Sequence, residues 1–164
     1  MTKKVTEEAF ISFLEKFKPL IVKVATSYCY NPTERSDLIQ DILLQLWKAF
    51  PKYKAEYQSS TWVYKIALNV SISFLRKSSS TEKIKREYKS DYDIIHWQDE
   101  VIESRLIQLN EALDSLDPYD KAVVILKLEG KPEVEAAEIL GISKSNYSTR
   151  LGRIKQKLKT QLKQ

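Results

Sequence analysis

Glycine, histidine and cysteine are scarce in this chain of 164 residues, and each shortage excludes a class of function. The 3 glycines stand far apart, at Gly130, Gly141 and Gly152, so no glycine-rich loop can cradle a phosphate. The only histidine, His96, leaves too few ligands and proton carriers for most metal-binding or acid–base sites. Cys29 is the only cysteine, which excludes an internal disulfide and a cysteine zinc cluster. We therefore predict no enzymatic activity, no catalytic residue, no metal site and no cofactor.

Long apolar runs and turn-forming residues are also few. No apolar run approaches the ~20 residues that a membrane-spanning helix needs. The N-terminal segment MTKKVTEEAF carries glutamates where a signal peptide has its apolar core. We therefore predict a cytoplasmic protein without membrane insertion. With 3 glycines and 5 prolines, and with apolar residues repeating at helical spacing, the chain is predicted to be all-α.

Basic residues are unevenly distributed along the chain. The formal net charge of +5 moderately favours nucleic acid as a binding partner. No acid occurs from residue 143 to residue 164, where the basic residues are Lys144, Arg150, Arg153, Lys155, Lys157, Lys159 and Lys163. A second basic cluster contains Arg76, Lys77, Lys83, Lys85, Arg86 and Lys89. A run of like charges ordinarily forms a solvated surface. Here the clustering of basic residues at two places favours binding to nucleic acid.

Two amphipathic patterns of different charge lie between Asp37 and Lys77. Apolar residues recur at three- and four-residue steps from Thr33 to Phe50, and Pro51 ends the pattern, which predicts a helix. The polar residues beside or opposite its apolar stripe include Asp37, Gln40, Asp41 and Gln45. After the polar loop KYKAEYQSST, a second helix is predicted from about Ser60, with an apolar side of Trp62, Ile66, Val70 and Phe74. An acidic helix next to a basic, aromatic loop suggests a protein partner on one side and nucleic acid on the other.

An earlier helix should complete a small bundle with these two. Thr6 is predicted to cap it, and Pro19 to kink or restart it. Asn31-Pro32 should end it, because proline disfavours helix at the preceding residue. Trp47 and Trp62 are predicted to pack in the core or at its rim rather than to contact DNA. The predicted core is Ile21, Val24, Leu38, Ile42, Leu46, Ile66 and Val70.

The C-terminal part of the chain fits a helix-turn-helix. After a helix with an apolar stripe from Val101 to Leu116, Asp117-Pro118 supplies a cap and a first helical residue. The helix that follows is predicted to be mostly buried through Val123, Val124, Leu126 and Leu128. Pro132 begins a short helix that Gly141 closes in the left-handed conformation, and Ser143 caps the last helix. The apolar side of that basic last helix is Tyr147, Leu151, Ile154, Leu158 and Leu162.

These two patterns resemble regions 2 and 4 of the bacterial RNA polymerase sigma factors, particularly the extracytoplasmic-function class. For region 2 the matching residues are Asp37-Leu38-Ile39-Gln40-Asp41, Trp47, Phe50, Trp62, Ile66-Ala67, Asn69 and Leu75-Arg76. For region 4 they are Leu116, Glu129-Gly130, Ala137, Leu140-Gly141-Ile142-Ser143, Arg150-Leu151, Arg153 and Leu158. Two residues depart from the family pattern, since Pro132 stands where a Ser or Thr cap is usual and Tyr147 where a smaller aliphatic residue is usual.

The resemblance implies an all-α fold of two small helical domains joined by a flexible linker. The expected boundaries are 1–78 for a region 2-like bundle, 79–100 for the linker and 101–164 for a region 4-like helix-turn-helix. It also implies a sigma factor that binds core RNA polymerase, through the β′ clamp helices and the β subunit, and directs promoter-specific initiation. Promoter DNA is the second partner, and an anti-sigma factor is a further partner that the resemblance allows.

The resemblance also assigns residues to three surfaces. The residues expected to bind core polymerase are Asp37, Gln40, Asp41 and Leu44. Those expected at the minus-10 element, which must be opened and captured, are Lys52, Tyr53, Lys54, Tyr57, Lys65, Asn69, Arg76 and Lys77. Those expected at the minus-35 element are Ser143, Lys144, Ser145, Asn146, Ser148, Thr149, Arg150 and Arg153.

Two other classes of protein share part of this pattern. A conventional helix-turn-helix repressor would normally dimerise on a palindromic site, but the stretch around Asp37 offers no clear heptad seam or ligand pocket. A polymerase-binding inhibitor or adaptor would use the acidic helix without needing a basic C-terminal helix. Both alternatives explain only one half of the chain.

Overall fold

The computed structural model describes residues 3–54, 58–78 and 100–162, and within these ranges it contains seven α-helices, one short 3₁₀ helix and no strand. The α-helices are α1 Lys3–Tyr28, α2 Pro32–Ala49, α3 Ser59–Ser78, α4 Glu100–Asp114, α5 Pro118–Leu128, α6 Glu133–Leu140 and α7 Lys144–Leu162, and the 3₁₀ helix is Phe50–Lys52. The chain divides into two compact units: one contains α1–α3 and is assigned Glu138–Leu140 as well, and the other contains α4, α5, the rest of α6 and α7. The predicted fold class is confirmed. Residues 79–99 of the predicted linker and Tyr57 lie outside the described residues.

Helix α1 is one continuous helix, which corrects two expectations. It begins at Lys3, so Thr6 lies inside the helix instead of capping it. Pro19 is also inside it, so the helix does not restart there, and the alternative of a kink at Pro19 stays a prediction. A proline removes one backbone hydrogen bond, but Phe17 and Ile21 on either side of it are buried, and their packing outweighs that loss.

The turn between α1 and α2 is held by two side chains. Asn31 accepts hydrogen bonds from the backbone N–H groups of Thr33 and Glu34, at 3.0 and 3.1 Å, and so caps α2. Arg35 donates to the last carbonyls of the preceding segment, from Nε to Cys29 O and from Nη2 to Tyr30 O, both at 3.0 Å. A cation at a helix C-terminus is favourable because the exposed carbonyls carry partial negative charge. The predicted break at Asn31-Pro32 is confirmed.

The core of the first unit is predicted correctly on α1 and α2 and incorrectly on α3. Ile21, Val24, Leu38, Ile42 and Leu46 are all buried. Ile66 and Val70 are only half-buried, and the residues that α3 buries are Thr61, Val63, Tyr64, Ala67, Leu68, Ser71 and Ile72. A four-residue repeat drifts around a helix by about 40° at each step, so it does not follow the buried face. Since α3 packs against both α1 and α2, that face is also wider than a single stripe.

An aromatic cluster joins all parts of the first unit. Trp47 lies 5.0 Å from Phe10, and Trp62 lies 5.6 Å from Phe13, measured between ring centroids. Both tryptophans are half-buried, so the prediction that they pack at the core or its rim is confirmed. Such pairs contribute about 0.5–1.5 kcal/mol each beyond the area they bury.

The second unit is built around α5 and α7. Asp117 caps α5 by accepting from the N–H of Tyr119 at 2.9 Å, as predicted. The buried apolar residues of the two helices include Val123, Leu126, Tyr147, Leu151 and Ile154. Leu128 was expected to be buried but is 68% exposed, because it lies about 200° around α5 from Leu126. Leu162, at the end of α7, is also exposed.

A buried ion pair links α4 to α5. The ammonium group of Lys121 lies 3.0 Å from the carboxylate of Asp114, and the Lys121 side chain is only 4% exposed. The pair connects the last residue of α4 to the first turn of α5. A buried charge is costly without its partner. Removing either Asp114 or Lys121 should therefore destabilise the protein, because the charge of the other stays buried.

Replacing Asp114 by Ala is expected to lower the free energy of unfolding by about 3–5 kcal/mol, because the Lys121 ammonium is left buried without its carboxylate. Adding Lys121→Met to Asp114→Ala should recover most of this loss, since it removes the uncompensated charge. Urea unfolding followed by circular dichroism measures both. A single variant as stable as the parent would contradict the role of the pair.

Candidate nucleic-acid interface

The outward side of α2 brings together the four residues that the sequence predicts to bind a protein. Asp37, Gln40, Asp41 and Leu44 are separated by three and four residues, so they share one face, and all are exposed. Leu44 is 47% exposed and adds an apolar group to this face. This surface, hereafter the α2 face, lies opposite the buried Leu38, Ile42 and Leu46. It combines two carboxylates, an amide and an apolar group, which suits a protein partner better than nucleic acid.

The segment after α2 starts with a tyrosine that is held by the aromatic cluster. The ring of Tyr53 lies 4.7 Å from Trp62, 5.5 Å from Phe13 and 6.4 Å from Phe50. Its hydroxyl is 2.9 Å from the hydroxyl of Ser59 at the start of α3. Tyr53 is therefore half-buried, and both its ring and its hydroxyl are held in place. The sequence did not indicate these contacts. Its neighbours Lys52 and Lys54 are exposed.

The outer side of α3 carries the remaining residues predicted for the first unit. Lys65, Asn69 and Arg76 are exposed and lie on one face, since they are separated by four and seven residues. Lys77 is exposed beside them. Trp62, one turn before Lys65, contacts Tyr53, so this surface, hereafter the α3 face, begins next to the segment that carries Lys52 and Lys54. The structure thus brings a basic surface with one amide to the side of α3 away from the core.

The turn between α6 and α7 has the predicted helix-turn-helix geometry. Gly141 has a φ of 69°, a conformation that costs other residues energy, and the N–H of Ile142 bonds to Ala137 O at 3.0 Å. Ser143 caps α7 by accepting from the N–H of Asn146 at 3.0 Å. The Ser143 hydroxyl therefore serves the helix start, although the residue is exposed.

Tyr147, which departs from the family pattern, is an anchor of α7. Its side chain is fully buried, and its hydroxyl donates to Val123 O on α5 at 3.0 Å. Burial raises the pKa of Tyr147, and the nearby Glu133 carboxylate raises it further, so the phenol keeps its proton to a higher pH than an ordinary tyrosine does. A smaller aliphatic residue at this position could not make this bond. The larger residue thus ties α7 to the backbone of α5.

Two further residues of α7 are tied to neighbouring helices. Ser148 donates to the Glu133 carboxylate of α6 at 2.6 Å. Arg150 donates to the Asp120 carboxylate of α5 at 3.1 Å, and its guanidinium lies 4.8 Å from the centre of the Tyr119 ring. Both residues were predicted to meet DNA, and both are half-buried. Sequence reasoning missed Glu133, Asp120 and Tyr119, because no local pattern connects residues 15 and 30 positions apart.

The other residues predicted at the minus-35 element remain exposed on α7. They are Lys144, Ser145, Asn146, Thr149 and Arg153. Their face is opposite or beside the buried Tyr147, Leu151 and Ile154. The seated helix thus presents short polar groups and cations together, which is the chemistry that reads base edges and phosphates.

Comparison with known proteins shows the family of this chain. The family model for Sigma-70 region 2 matches residues 13–81, and the model for Sigma-70, region 4 matches residues 106–158, together more than half of the chain. The chain is also 25% identical to the ECF RNA polymerase sigma factor SigW of Bacillus subtilis (strain 168), over 98% of this chain and 92% of that protein. The chain belongs to the sigma-70 family, in its extracytoplasmic-function class. As a sigma factor, it acts with RNA polymerase in promoter-specific transcription initiation.

Other relatives are similar to this sigma factor along nearly its whole length. It is 26% identical to the RNA polymerase sigma factor SigV of Bacillus subtilis (strain 168), over 98% of this chain and 95% of that protein. Its fold resembles that of CnrH in complex with the cytosolic domain of CnrY, with a TM-score of 0.68, 22% identity and coverage of 96% and 89% of the two chains. It also resembles the sigma factor RpoE in complex with the anti-sigma factor NepR from Bartonella quintana, with a TM-score of 0.67, 21% identity and coverage of 95% and 98%.

None of the helices that the structure describes has both the length and the apolar character needed to cross a membrane.

Proposed function

We propose that this sigma factor divides its task among the three surfaces described above. The α2 face binds core polymerase, the α3 face with the preceding loop captures the opened minus-10 element, and α7 reads the minus-35 element. The observation that carries the proposal is the packing of α7, which buries Tyr147, Leu151 and Ile154 and leaves Lys144, Asn146 and Arg153 exposed. The predicted domain boundaries and the cytoplasmic location belong to the same proposal.

Docking on core polymerase is supported by the composition of the α2 face. The exposed Leu44 lies one turn after the exposed Gln40 and Asp41, so the face offers an apolar contact beside polar groups, as protein interfaces do. Within this proposal the face binds the clamp helices of the β′ subunit. A contact of the sigma factor with the β subunit remains a prediction from the family.

Capture of the minus-10 element needs more than positive charge. Duplex and single-stranded DNA both carry phosphates, so Lys65, Arg76 and Lys77 alone cannot favour the open form. Separating DNA costs on average ~1.4 kcal/mol per step, and stacking of one base on an aromatic side chain returns ~1–3 kcal/mol. Asn69, exposed on the α3 face, has an amide that can pair with the edge of an extruded base.

The two tyrosines of the preceding loop take different parts in this proposal. Tyr53 fixes the start of the loop, because its ring packs in the aromatic cluster and its hydroxyl bonds to Ser59, and only the exposed part of its ring remains for a base. Tyr57, which lies outside the described residues, keeps its predicted role as a stacking group. Lys52 and Lys54 bind the phosphates next to them.

Reading of the minus-35 element follows from the start of α7. The first residues of a recognition helix reach base edges in the major groove, and here they are Lys144, Ser145 and Asn146. Thr149 is exposed one turn later on the same side as Ser145. Ser143 and Ser148 were predicted to read DNA too, but their hydroxyls already bond within the helix-turn-helix, so we propose that they support the readout.

Replacing Asn146 or Lys144 by Ala is expected to relax discrimination at one base pair of the minus-35 element by ~1–3 kcal/mol. Lys159→Ala, at the far end of the same helix, is the matched control and should leave base preference unchanged. Binding of the polymerase–sigma complex to promoters with each minus-35 base varied in turn measures this. Full parental preference in both Asn146→Ala and Lys144→Ala would refute this register of the recognition helix.

An anti-sigma factor is a further proposed partner. The support is structural similarity, since the related RpoE structure is a complex with the anti-sigma factor NepR. The α2 face is the surface on which such a partner would compete with core polymerase.

One experiment tests the whole proposal. Purified protein is added to core polymerase on promoter DNA, and promoter-specific transcripts are measured. A sigma factor produces transcripts that start at the promoter and depend on both components. A repressor would bind the DNA without polymerase and give no transcripts, and an inhibitor or adaptor would bind polymerase without conferring promoter specificity.

A further inference from the structure

Arg150 is the most extensively held of the basic residues on the described part of α7. Its Nη1 lies 3.1 Å from Asp120 Oδ1, and its guanidinium carbon lies 4.8 Å from the centre of the Tyr119 ring. Both partners are in the first turn of α5, immediately after the capping residue Asp117. Two different groups of α5 therefore hold one side chain of α7.

These contacts use the features by which arginine binds a phosphate. Arginine recognises phosphate by directing its planar N–H groups at the oxygens, and it stacks on aromatic rings through its face. In this protein one N–H group donates to the Asp120 carboxylate, and the guanidinium carbon lies over the Tyr119 ring. The negative charge of Asp120 offsets part of the charge of Arg150. A phosphate would have to compete with these two partners for the guanidinium.

The position of Arg150 along α7 makes its contacts important for readout. It lies one turn after Asn146 and three residues before Arg153, on the edge between the buried and exposed sides of the helix. Tyr147 ties α7 to α5 on the buried side, and Arg150 adds a second tie on this edge. Together with the bond from Ser148 to Glu133 of α6, these two ties to α5 oppose rotation of α7 about its own axis.

We propose that Arg150 is a positioning residue, which holds α7 against Asp120 and Tyr119 and so sets the direction in which Asn146, Thr149 and Arg153 meet the bases. It does not bind a phosphate itself. This inference rests on the proposed reading of the minus-35 element by α7, and it changes the role that the family resemblance gave to Arg150.

The test uses the complete sigma factor bound to core polymerase, with promoter and non-promoter duplexes at several salt concentrations. Arg150→Ala and Asp120→Asn should each weaken promoter binding by about three- to tenfold, because an exposed ion pair and an arginine–aromatic contact are each modest. The double variant should bind no more weakly than Arg150→Ala, since both changes break the same tie. The dependence of log affinity on log salt should keep its slope in Arg150→Ala.

The matched control is Arg153→Ala, which removes an exposed arginine of the same helix. Its salt slope should fall by about one, and its binding to both duplexes should weaken alike, as for a phosphate contact. Arg150→Lys keeps the charge but loses the contact of the guanidinium with the Tyr119 ring, so it should lower promoter preference as Arg150→Ala does. Thermal melting shows that each variant is folded at the assay temperature.

Opposite results would overturn the proposal. If Arg150→Ala lowers the salt slope by about one, or if Arg150→Lys binds as the parent does, Arg150 contacts a phosphate. If Asp120→Asn binds more tightly and as selectively, Asp120 competes with DNA for Arg150 instead of positioning it. A parent protein without any preference for minus-35 DNA would refute the proposed function itself, which is a distinct result.

Discussion

A variant carrying Gln40→Lys and Asp41→Lys is expected to lose binding to core RNA polymerase while its helical circular-dichroism spectrum stays unchanged. Both side chains are exposed on the α2 face, so neither substitution disturbs the buried Leu38, Ile42 and Leu46. Losing one partner of a buried interfacial charge pair costs about 2–5 kcal/mol. Affinity should therefore fall by at least about 30-fold, measured with labelled core polymerase at fixed salt.

The control for this variant must reproduce its change in charge. Ser12→Lys with Glu15→Lys adds the same charge to the same unit, at two exposed residues of α1. This control should bind core polymerase as the parent does. Equal losses in both variants would show that net charge matters rather than the α2 face, and an unweakened Gln40→Lys/Asp41→Lys variant would refute docking through this face.

The second large effect is expected in promoter opening. A variant with Tyr57→Ala and Asn69→Ala should bind core polymerase normally but open a duplex promoter about 5- to 150-fold less well, because ~1–3 kcal/mol of base capture is lost. Fluorescence of a base analogue in the minus-10 element measures opening. Tyr53 is left intact because its ring supports Phe13 and Trp62, and its loss would weaken the unit as a whole.

A premelted promoter separates base capture from other defects. With the minus-10 bases already unpaired, the polymerase no longer needs the energy of capture to open the duplex, so activity should be largely restored. Ser12→Ala, an exposed substitution elsewhere in the first unit, should behave as the parent on both templates. Equal losses on duplex and premelted templates would show that these residues do not capture bases.

Local signals in the sequence were enough to predict most helices and the helix-turn-helix turn. Asp117, Gly141 and Ser143 act within three residues of their own positions, so local pattern alone predicts their roles. The exposure of Asp37, Gln40, Asp41 and Leu44 also follows from helical periodicity. These are properties of one helix at a time.

What the sequence could not predict depends on contacts between helices. The buried side of α3 depends on its packing against both α1 and α2. The four-residue apolar repeat therefore predicted the wrong buried residues on this helix. The anchoring of Tyr53 depends on Phe13, which is 40 positions earlier. The ties of Ser148 and Arg150 depend on acids that precede them by 15 and 30 positions. The sequence therefore predicted the residues of the candidate surfaces, but not which of them already bond to other residues of the chain.

The tryptophans of the aromatic cluster can also report on the first unit by their fluorescence. Trp62 lies 4.7 Å from Tyr53, at the start of the loop proposed to hold an unpaired strand, so its emission is sensitive to any rearrangement there. Trp47 lies 5.0 Å from Phe10 at another part of the same cluster, where DNA capture should change nothing. Because the chain has 3 tryptophans, replacing Trp97 and one of these two by Phe leaves the other as its single tryptophan. The time course of strand capture can thus be recorded without attaching a dye to protein or promoter.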